Sequence, residues 1–120
     1  MNRVYVISRY RATKRRQRKF NLSVAKYFCK KIIDEGNVPV APHIYYTQFL
    51  DDNHLEDRAK GCELGIWELQ NSQEFLLVVI DGVISEGMRN ELKEVARLGM
   101  KGRFIYMTHD KISKAMKVAR

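Results

Sequence analysis

The sequence has 120 residues, of which 45% are hydrophobic and 30% charged, so it is long enough to bury a core in one globular domain. No apolar run approaches the roughly 20 residues that span a bilayer, and the first residues do not form a signal peptide, so we expect a cytoplasmic protein without a membrane partner. Two cysteines outside any Cys/His cluster exclude a disulfide scaffold, and the net charge of +8 predicts an anionic partner, such as a phosphate, a nucleotide or a nucleic acid.

The first half of the chain predicts two strands and one helix. Residues 3–8 are β-branched and aromatic, which is typical of a buried strand, and the loop after them carries the basic run KRRQRK. Residues 20–35 place apolar side chains at helical spacing and are followed by Gly36, a stop signal. Residues 37–42 predict a second strand, and the aromatic segment HIYYTQFLDD after it is predicted as an irregular loop.

The second half alternates helices and strands. Residues 55–71 predict a helix, with Trp67 on its core-facing side. EFLLVVI, residues 74–80, has six consecutive apolar residues, as expected of a strand that is covered on both faces. A helix over residues 87–98, a strand over 103–107 and a helix over 110–119 complete the pattern.

The order βαβαβαβα predicts an α/β fold with a flavodoxin-like or Rossmann-like doubly wound parallel sheet, in a single three-layer domain over residues 1–120. The predicted strand order is 2-1-3-4. Ligands of such sheets bind at the carboxyl ends of the strands, where the strand order reverses. The loops over residues 8–11 and 81–87, with residues 43–49 beside them, are therefore the predicted binding edge.

The segment SEGMRNEL, residues 85–92, opens a helix at this edge. Ser85 is a candidate N-cap, and Gly87 leaves the backbone open, so the helix start could bind an anion or could simply be capped. Glu91 borders the apolar face of the helix, where it is either a solvated residue or a nucleophile for an anomeric carbon. Asp81 is either a second catalytic carboxylate or the turn residue of Asp-Gly.

The other two loops supply candidate binding residues. Tyr10 could stack on a base or pack on a helix, and Arg11 could bind a phosphate. Tyr45 and Tyr46 could wall a base pocket, and His43 could donate to a ligand, or this aromatic loop could simply pack on the helices.

Three segments together resemble the nucleoside 2-deoxyribosyltransferase family: VYVISRYR, VPVAPHIYYTQFLDD and DGVISEGMRNELKEVARLG. The closest likeness is to a small bacterial and phage branch with the pattern ISEGM-x-x-E. The resemblance implies a doubly wound α/β fold and a nucleophile, Glu91, that is followed by Leu92 and, eight residues on, by Gly99. It also implies that Ser85, six residues before the glutamate, contacts a 5′-phosphate, because relatives that take unphosphorylated nucleosides have an aspartate there.

The resemblance thus implies an enzyme acting on the N-glycosidic bond of a nucleoside 5′-monophosphate, as a hydrolase or a (deoxy)ribosyltransferase, without metal or cofactor. One departure is Gly65, which stands where the family usually carries an aspartate, so a non-catalytic nucleotide-binding or regulatory module is the alternative. Nucleic acid bound through KRRQRK is a weaker alternative, and a homo-oligomer is compatible with the family. The candidate catalytic residues are Glu91 and Asp81, and the candidate substrate-binding residues are Ser8, Tyr10, Arg11, His43, Tyr45, Tyr46, Ser85, Gly87 and Met88.

Overall fold

The computed structural model of the protein describes residues 1–119, and Arg120 lies outside the described residues. Four parallel strands form one sheet in the order β2-β1-β3-β4, which confirms the predicted α/β fold and strand order. The strands are β1 (Arg3–Ile7), β2 (Val38–Val40), β3 (Glu74–Ile80) and β4 (Lys101–Met107).

Helices cover both faces of this sheet. They are α1 (Arg15–Asp34), α2 (Pro42–Tyr45), α3 (Leu55–Gln70), α4 (Glu86–Leu98) and α5 (His109–Val118), with a 3₁₀ turn over Tyr46–Gln48 after α2. No helix within residues 1–119 is both long enough and apolar enough to cross a membrane.

The alternation of side chains along β1 divides the core into two layers. Tyr5 and Ile7 pack with residues of α3 and α4, such as Leu69 and Met88. Val4 and Val6 face the opposite way and pack against α1 and α5. Tyr5 therefore points to the same side of the sheet as α4, which carries the predicted nucleophile.

Two local predictions were wrong. The basic run is not a loop, because α1 begins at Arg15 and takes up most of it. Arginine, lysine and glutamine are good helix formers, so nothing in the run prevents the helix from beginning there. The aromatic segment after β2 is also not irregular. Its first six residues, 43–48, belong to α2, which begins at Pro42, and to the 3₁₀ turn that follows.

Trp67 is the third difference. It lies on α3 with 56% of its surface exposed, whereas Leu69, two residues on, is fully buried. Gly65 and Leu69, spaced four residues apart, form the buried stripe of α3, and Trp67 lies on the other side of the helix. The prediction that Trp67 faces the core was wrong, because it took the apolar character of the side chain as a sign of burial.

Gly102 is required by packing at the start of β4. A Cβ atom at this position would lie 2.2 Å from Cδ1 of Phe75, whose ring covers the glycine. We expect Gly102→Ala to destabilise the protein by about 1–3 kcal/mol, because the buried Phe75 ring must move. Gly65→Ala is the matched control, since its Cβ would make only an ordinary 3.5 Å contact with Tyr5 Oη. Chemical denaturation of both variants tests this, and equal stabilities would contradict it.

Candidate functional site

Glu91 lies in the second turn of α4, partly buried against β1. Met88 and Val95 of the same helix are buried in the core, which turns the neighbouring flank with Glu91 toward the sheet. Its Oε2 atom accepts a short hydrogen bond from the hydroxyl of Tyr5. The central strand and the helix after β3 therefore meet in one polar pair, within an otherwise apolar layer.

Burial sets the electrostatics of this pair. Desolvation raises the pKa of Glu91 to about 7, although the hydrogen bond from Tyr5 acts in the opposite direction. Burial and the neighbouring Glu91 together raise the pKa of Tyr5 well above its usual value, so Tyr5 stays protonated and remains a donor. A large fraction of Glu91 is ionised near neutral pH, and an ionised carboxylate is what a nucleophile requires.

Ser85 is the N-cap of α4, as predicted. Its Oγ atom accepts a hydrogen bond of 3.3 Å from the backbone N–H of Met88, and the Met88 sulfur accepts one of 3.5 Å from the Ser85 N–H. The hydroxyl proton of Ser85 is still available to donate, and the N–H groups of Glu86 and Gly87 have no acceptor inside the helix. A Cβ atom at Gly87 would come no nearer than 4.0 Å to its closest neighbour, Ser85 Oγ, so the helix start is open.

The Met88 amide, which was expected to face a ligand, is bonded to the cap instead, and the Met88 side chain is buried in the core. The donors that remain at the start of α4 are Ser85 Oγ and the amides of Glu86 and Gly87. Together with the positive end of the helix dipole they form an arrangement suited to an anion.

Gly65 lies beside the Tyr5–Glu91 pair. A Cβ atom at this position would be 3.5 Å from the Tyr5 hydroxyl, so a longer side chain there would reach the pair directly. The aspartate that the family resemblance implies would therefore have stood next to Glu91. In this chain the Tyr5 hydroxyl is the hydrogen-bond partner of Glu91.

The loop over residues 8–11 and the segment over residues 43–49 come together, as expected. The rings of Tyr10 and His43 lie 5.1 Å apart, and the backbone carbonyl of Tyr10 accepts a hydrogen bond of 3.1 Å from the buried Asn21. Burial lowers the pKa of His43 to about 4, so its imidazole is neutral at pH 7. Its buried Nε2 atom has no hydrogen-bond partner within residues 1–119.

A cavity of about 410 Å³ lies between these loops, with Tyr10, Arg11 and Asp51 in its lining. Tyr45 and Tyr46 are in edge contact at 5.1 Å between ring centres, and the Tyr46 hydroxyl is 3.3 Å from a carboxylate oxygen of Glu68. Glu91 does not line this cavity. A ligand bound here would have to extend toward α4 to reach it.

Ser8 and Asp81 lie elsewhere at the carboxyl edge of the sheet. Both line a smaller cavity of about 80 Å³ that also includes residues of α1. Ser8 is 7% exposed, and its hydroxyl has no partner among the described residues. Asp81 is an exposed turn residue at φ 53°, and its carboxylate accepts the backbone N–H of His109 at 2.9 Å. The structure therefore does not bring Asp81 and Glu91 together as a pair.

Tyr5 is the site residue that sequence reasoning missed. It was treated only as part of a hydrophobic strand. The alternation of β1 placed Tyr5 on one face, but no local pattern showed that α4 covers that face. A polar atom at the end of a buried aromatic side chain was the available signal, because a buried tyrosine hydroxyl usually has a hydrogen-bond partner.

The four-stranded parallel sheet with helices on both faces defines a doubly wound α/β fold. Among solved structures, the chain is similar to a 2-deoxyribosyltransferase from Bacillus psychrosaccharolyticus, described as a biocatalyst for nucleoside synthesis, with a TM-score of 0.70 and 13% identity. The alignment covers 87% of this chain and 72% of that enzyme. This likeness establishes the fold.

The family assignment comes from the sequence. The model of the DUF7768 family, a domain of unknown function, matches residues 2–106, and the chain belongs to this family. No curated protein matches the chain significantly.

Proposed function

We propose that the protein cleaves the N-glycosidic bond of a nucleoside 5′-monophosphate, with Glu91 as the nucleophile. The observation that carries this proposal is the Tyr5–Glu91 pair, a carboxylate with a pKa of about 7 and a neutral donor beside it. Glu91 lies on α4, the helix whose N-terminus offers free donors to an anion.

In the proposed reaction, an ionised oxygen of Glu91 attacks C1′ of the sugar. The C1′–N bond breaks, its electron pair leaves with the base, and the base takes up a proton. The sugar phosphate is then held as an ester of Glu91. Water releases it in a hydrolase, and a second base accepts the sugar in a transferase.

Binding of the substrate would use both ends of the site. The Ser85 hydroxyl and the Gly87 amide would bind the 5′-phosphate, with Arg11 as a further cation. Tyr10 would stack on the base. The remaining candidates for contact with the base are His43, Tyr45 and Tyr46. Ser8 as a substrate-binding residue and Asp81 as a second catalytic carboxylate stay predictions, and both line the neighbouring small cavity.

A second candidate is a module that binds a nucleotide without converting it. Gly65 favours this candidate, because it leaves Glu91 without the neighbouring carboxylate that the family resemblance implies. The two candidates share a ligand and differ only in whether a base is released.

A chromatographic assay distinguishes them. The protein is incubated with a panel of ribo- and deoxyribonucleoside 5′-monophosphates, and free base is measured, with Glu91→Gln as the control. Base released by the wild type alone would support the enzyme and identify its substrate. Thermal stabilisation by one nucleotide with no base released would favour the binding module. Base release that survives in Glu91→Gln would contradict the proposed mechanism.

Ser85→Ala is expected to weaken the binding of a nucleoside monophosphate by about tenfold and to change the binding of the matching nucleoside little, because only the phosphate uses the hydroxyl. Thr108→Ala is the matched control, since Thr108 caps α5 in the same way, accepting the Lys111 N–H at 3.1 Å. Both variants should lose about 1 kcal/mol of stability. Titration calorimetry with both ligands tests this, and equal affinities for the phosphorylated ligand in the two variants would contradict it.

A further inference from the structure

The outer face of β4 carries two exposed aromatic side chains. Phe104 and Tyr106 are 59% and 67% exposed. They are two residues apart on one strand, so both rings project from the same face of the sheet, roughly 7 Å apart along the strand. Ile105 and Met107 point the other way and pack against the α1 and α5 layer. The two aromatic residues therefore do not belong to either core layer.

The position of β4 explains this exposure. It is an edge strand that pairs only with β3, and α4 packs over β1 and against α3, toward the other edge of the sheet. The ring of Phe75, on the neighbouring strand β3, lies 5.7 Å from that of Phe104 on the same face of the sheet. The result is an exposed aromatic strip on a sheet, which we call the β4 strip and define as Phe104 and Tyr106.

Cations border the β4 strip. On α4, Glu91 accepts a hydrogen bond from Tyr5 of β1 and Glu94 accepts one from Gln70 of α3, so these two residues mark the flank of the helix that faces α3. Arg89 and Lys93 lie on the other flank of α4, toward β4. Lys101 begins β4, and by the alternation of the strand its side chain projects with Arg103 and Ile105 from the opposite face, away from the β4 strip. Arg89 and Lys93 are both exposed, and neither of them forms an ion pair within residues 1–119.

We propose that the β4 strip binds single-stranded nucleic acid, with its two rings stacking on bases and the bordering cations contacting phosphates. Sheet-borne aromatic residues next to free cations are the chemistry by which single strands are bound without base-edge hydrogen bonds. The net charge of +8 matches a polyanion. A second copy of this chain, paired along the edge of β4, fits less well, because it would bring the same unpaired cations of two positively charged molecules close together.

This surface is distinct from the basic run on α1. The run lies at the start of a helix on the other face of the sheet, where α1 packs with α5. Arg18 in it donates to the carbonyls of Ala12 and Thr13 at 2.8 and 3.0 Å, and so is engaged in holding its own loop. The aromatic strip, rather than the densest charge, therefore identifies the surface.

The test uses a fluorescein-labelled oligothymidylate of about 12 nucleotides and anisotropy at salt concentrations of about 50 and about 200 mM. Binding by the wild type should weaken as salt rises. Tyr106→Ala should weaken it by about tenfold, because one stacked base is lost. The matched control is Phe49→Ala, which removes an aromatic ring that is equally exposed, at 65%, and should leave affinity within about twofold. Thermal unfolding of both variants shows that each is folded.

A second pair of variants separates charge from location. Arg89→Ala with Lys93→Ala should reduce both affinity and its dependence on salt, whereas Arg15→Ala with Arg16→Ala, an equal loss of charge on α1, should do so less. The proposal is overturned if the wild type does not bind the oligonucleotide at the lower salt concentration, or if only the α1 variant loses binding. It is also overturned if Tyr106→Ala converts a dimer into a monomer in sedimentation and keeps the wild-type affinity, since the β4 strip would then be a contact between two copies.

Discussion

Replacing Glu91 by glutamine is expected to abolish base release and, at the same time, to stabilise the protein at pH 8. The folded-state pKa of Glu91, about 7, lies above the ordinary value of 4.5. The folded protein therefore binds this proton more tightly than the unfolded chain, so the contribution of Glu91 to stability is fully present below about pH 4.5 and is lost as the pH rises through 7. The shift corresponds to at most about 3 kcal/mol, which glutamine recovers because it cannot ionise.

Glutamine also keeps an oxygen that can accept the hydrogen bond from Tyr5, so the packing of the site should be preserved. The matched control is Glu94→Gln on the same helix, because Arg97 holds the pKa of Glu94 below its usual range. Urea denaturation at pH 5 and pH 8 measures the effect. The Glu91 variant should have a higher free energy of unfolding than the wild type mainly at pH 8, and the Glu94 variant should not. A gain of equal size at both pH values would show that ionisation of Glu91 carries no cost in the folded protein.

Tyr5→Phe should change the pH dependence of the reaction as well as its rate. The Tyr5 hydroxyl lowers the pKa of Glu91 by donating to the carboxylate, so its removal should raise that pKa further. The acidic limb of the kcat/KM profile should then move to higher pH, and kcat/KM at pH 7 should fall by about tenfold or more. At high pH the ionised Glu91 would also lose a charge-assisted hydrogen bond, at a cost of about 1.5–3 kcal/mol in stability.

Tyr46→Phe is the control for this prediction. It also removes a tyrosine hydroxyl that contacts a carboxylate, that of Glu68, in the same region of the molecule. The Tyr46 variant should keep the position of the acidic limb. If Tyr5→Phe lowered the rate without moving the limb, Tyr5 would contribute to packing only, and the pKa of Glu91 would not depend on it.

The topology could be predicted from the sequence, because it follows from strong local patterns. The apolar run of β3 and the glycine stops after α1 and α4 mark the elements, and alternation of strands and helices leaves few possible topologies. Ser85 was predictable as a cap for the same reason: the interaction joins residues only three apart. Local chemistry of this kind needs no tertiary information.

The Tyr5–Glu91 pair could not be predicted, because its two residues are 86 positions apart. Their meeting depends on which face of β1 is covered by α4. The β4 strip was missed because the covering of a strand's two faces cannot be read from its own residues. An alternating strand such as GRFIYM has apolar residues on both faces, and the sequence does not show that helices cover only one of them at the edge of the sheet. Trp67 was misplaced because hydrophobic character was taken as burial.

Mass spectrometry of the acid-trapped protein tests the central claim most directly. The protein is incubated with the nucleotide that the base-release assay identifies, the reaction is quenched in acid within its first turnovers, and the protein is digested for peptide mapping. The proposed mechanism predicts an adduct with the mass of the sugar phosphate on the peptide that contains Glu91, and none in Glu91→Gln. Base release with the adduct on another residue, such as Asp81, would contradict the assignment of Glu91 as the nucleophile.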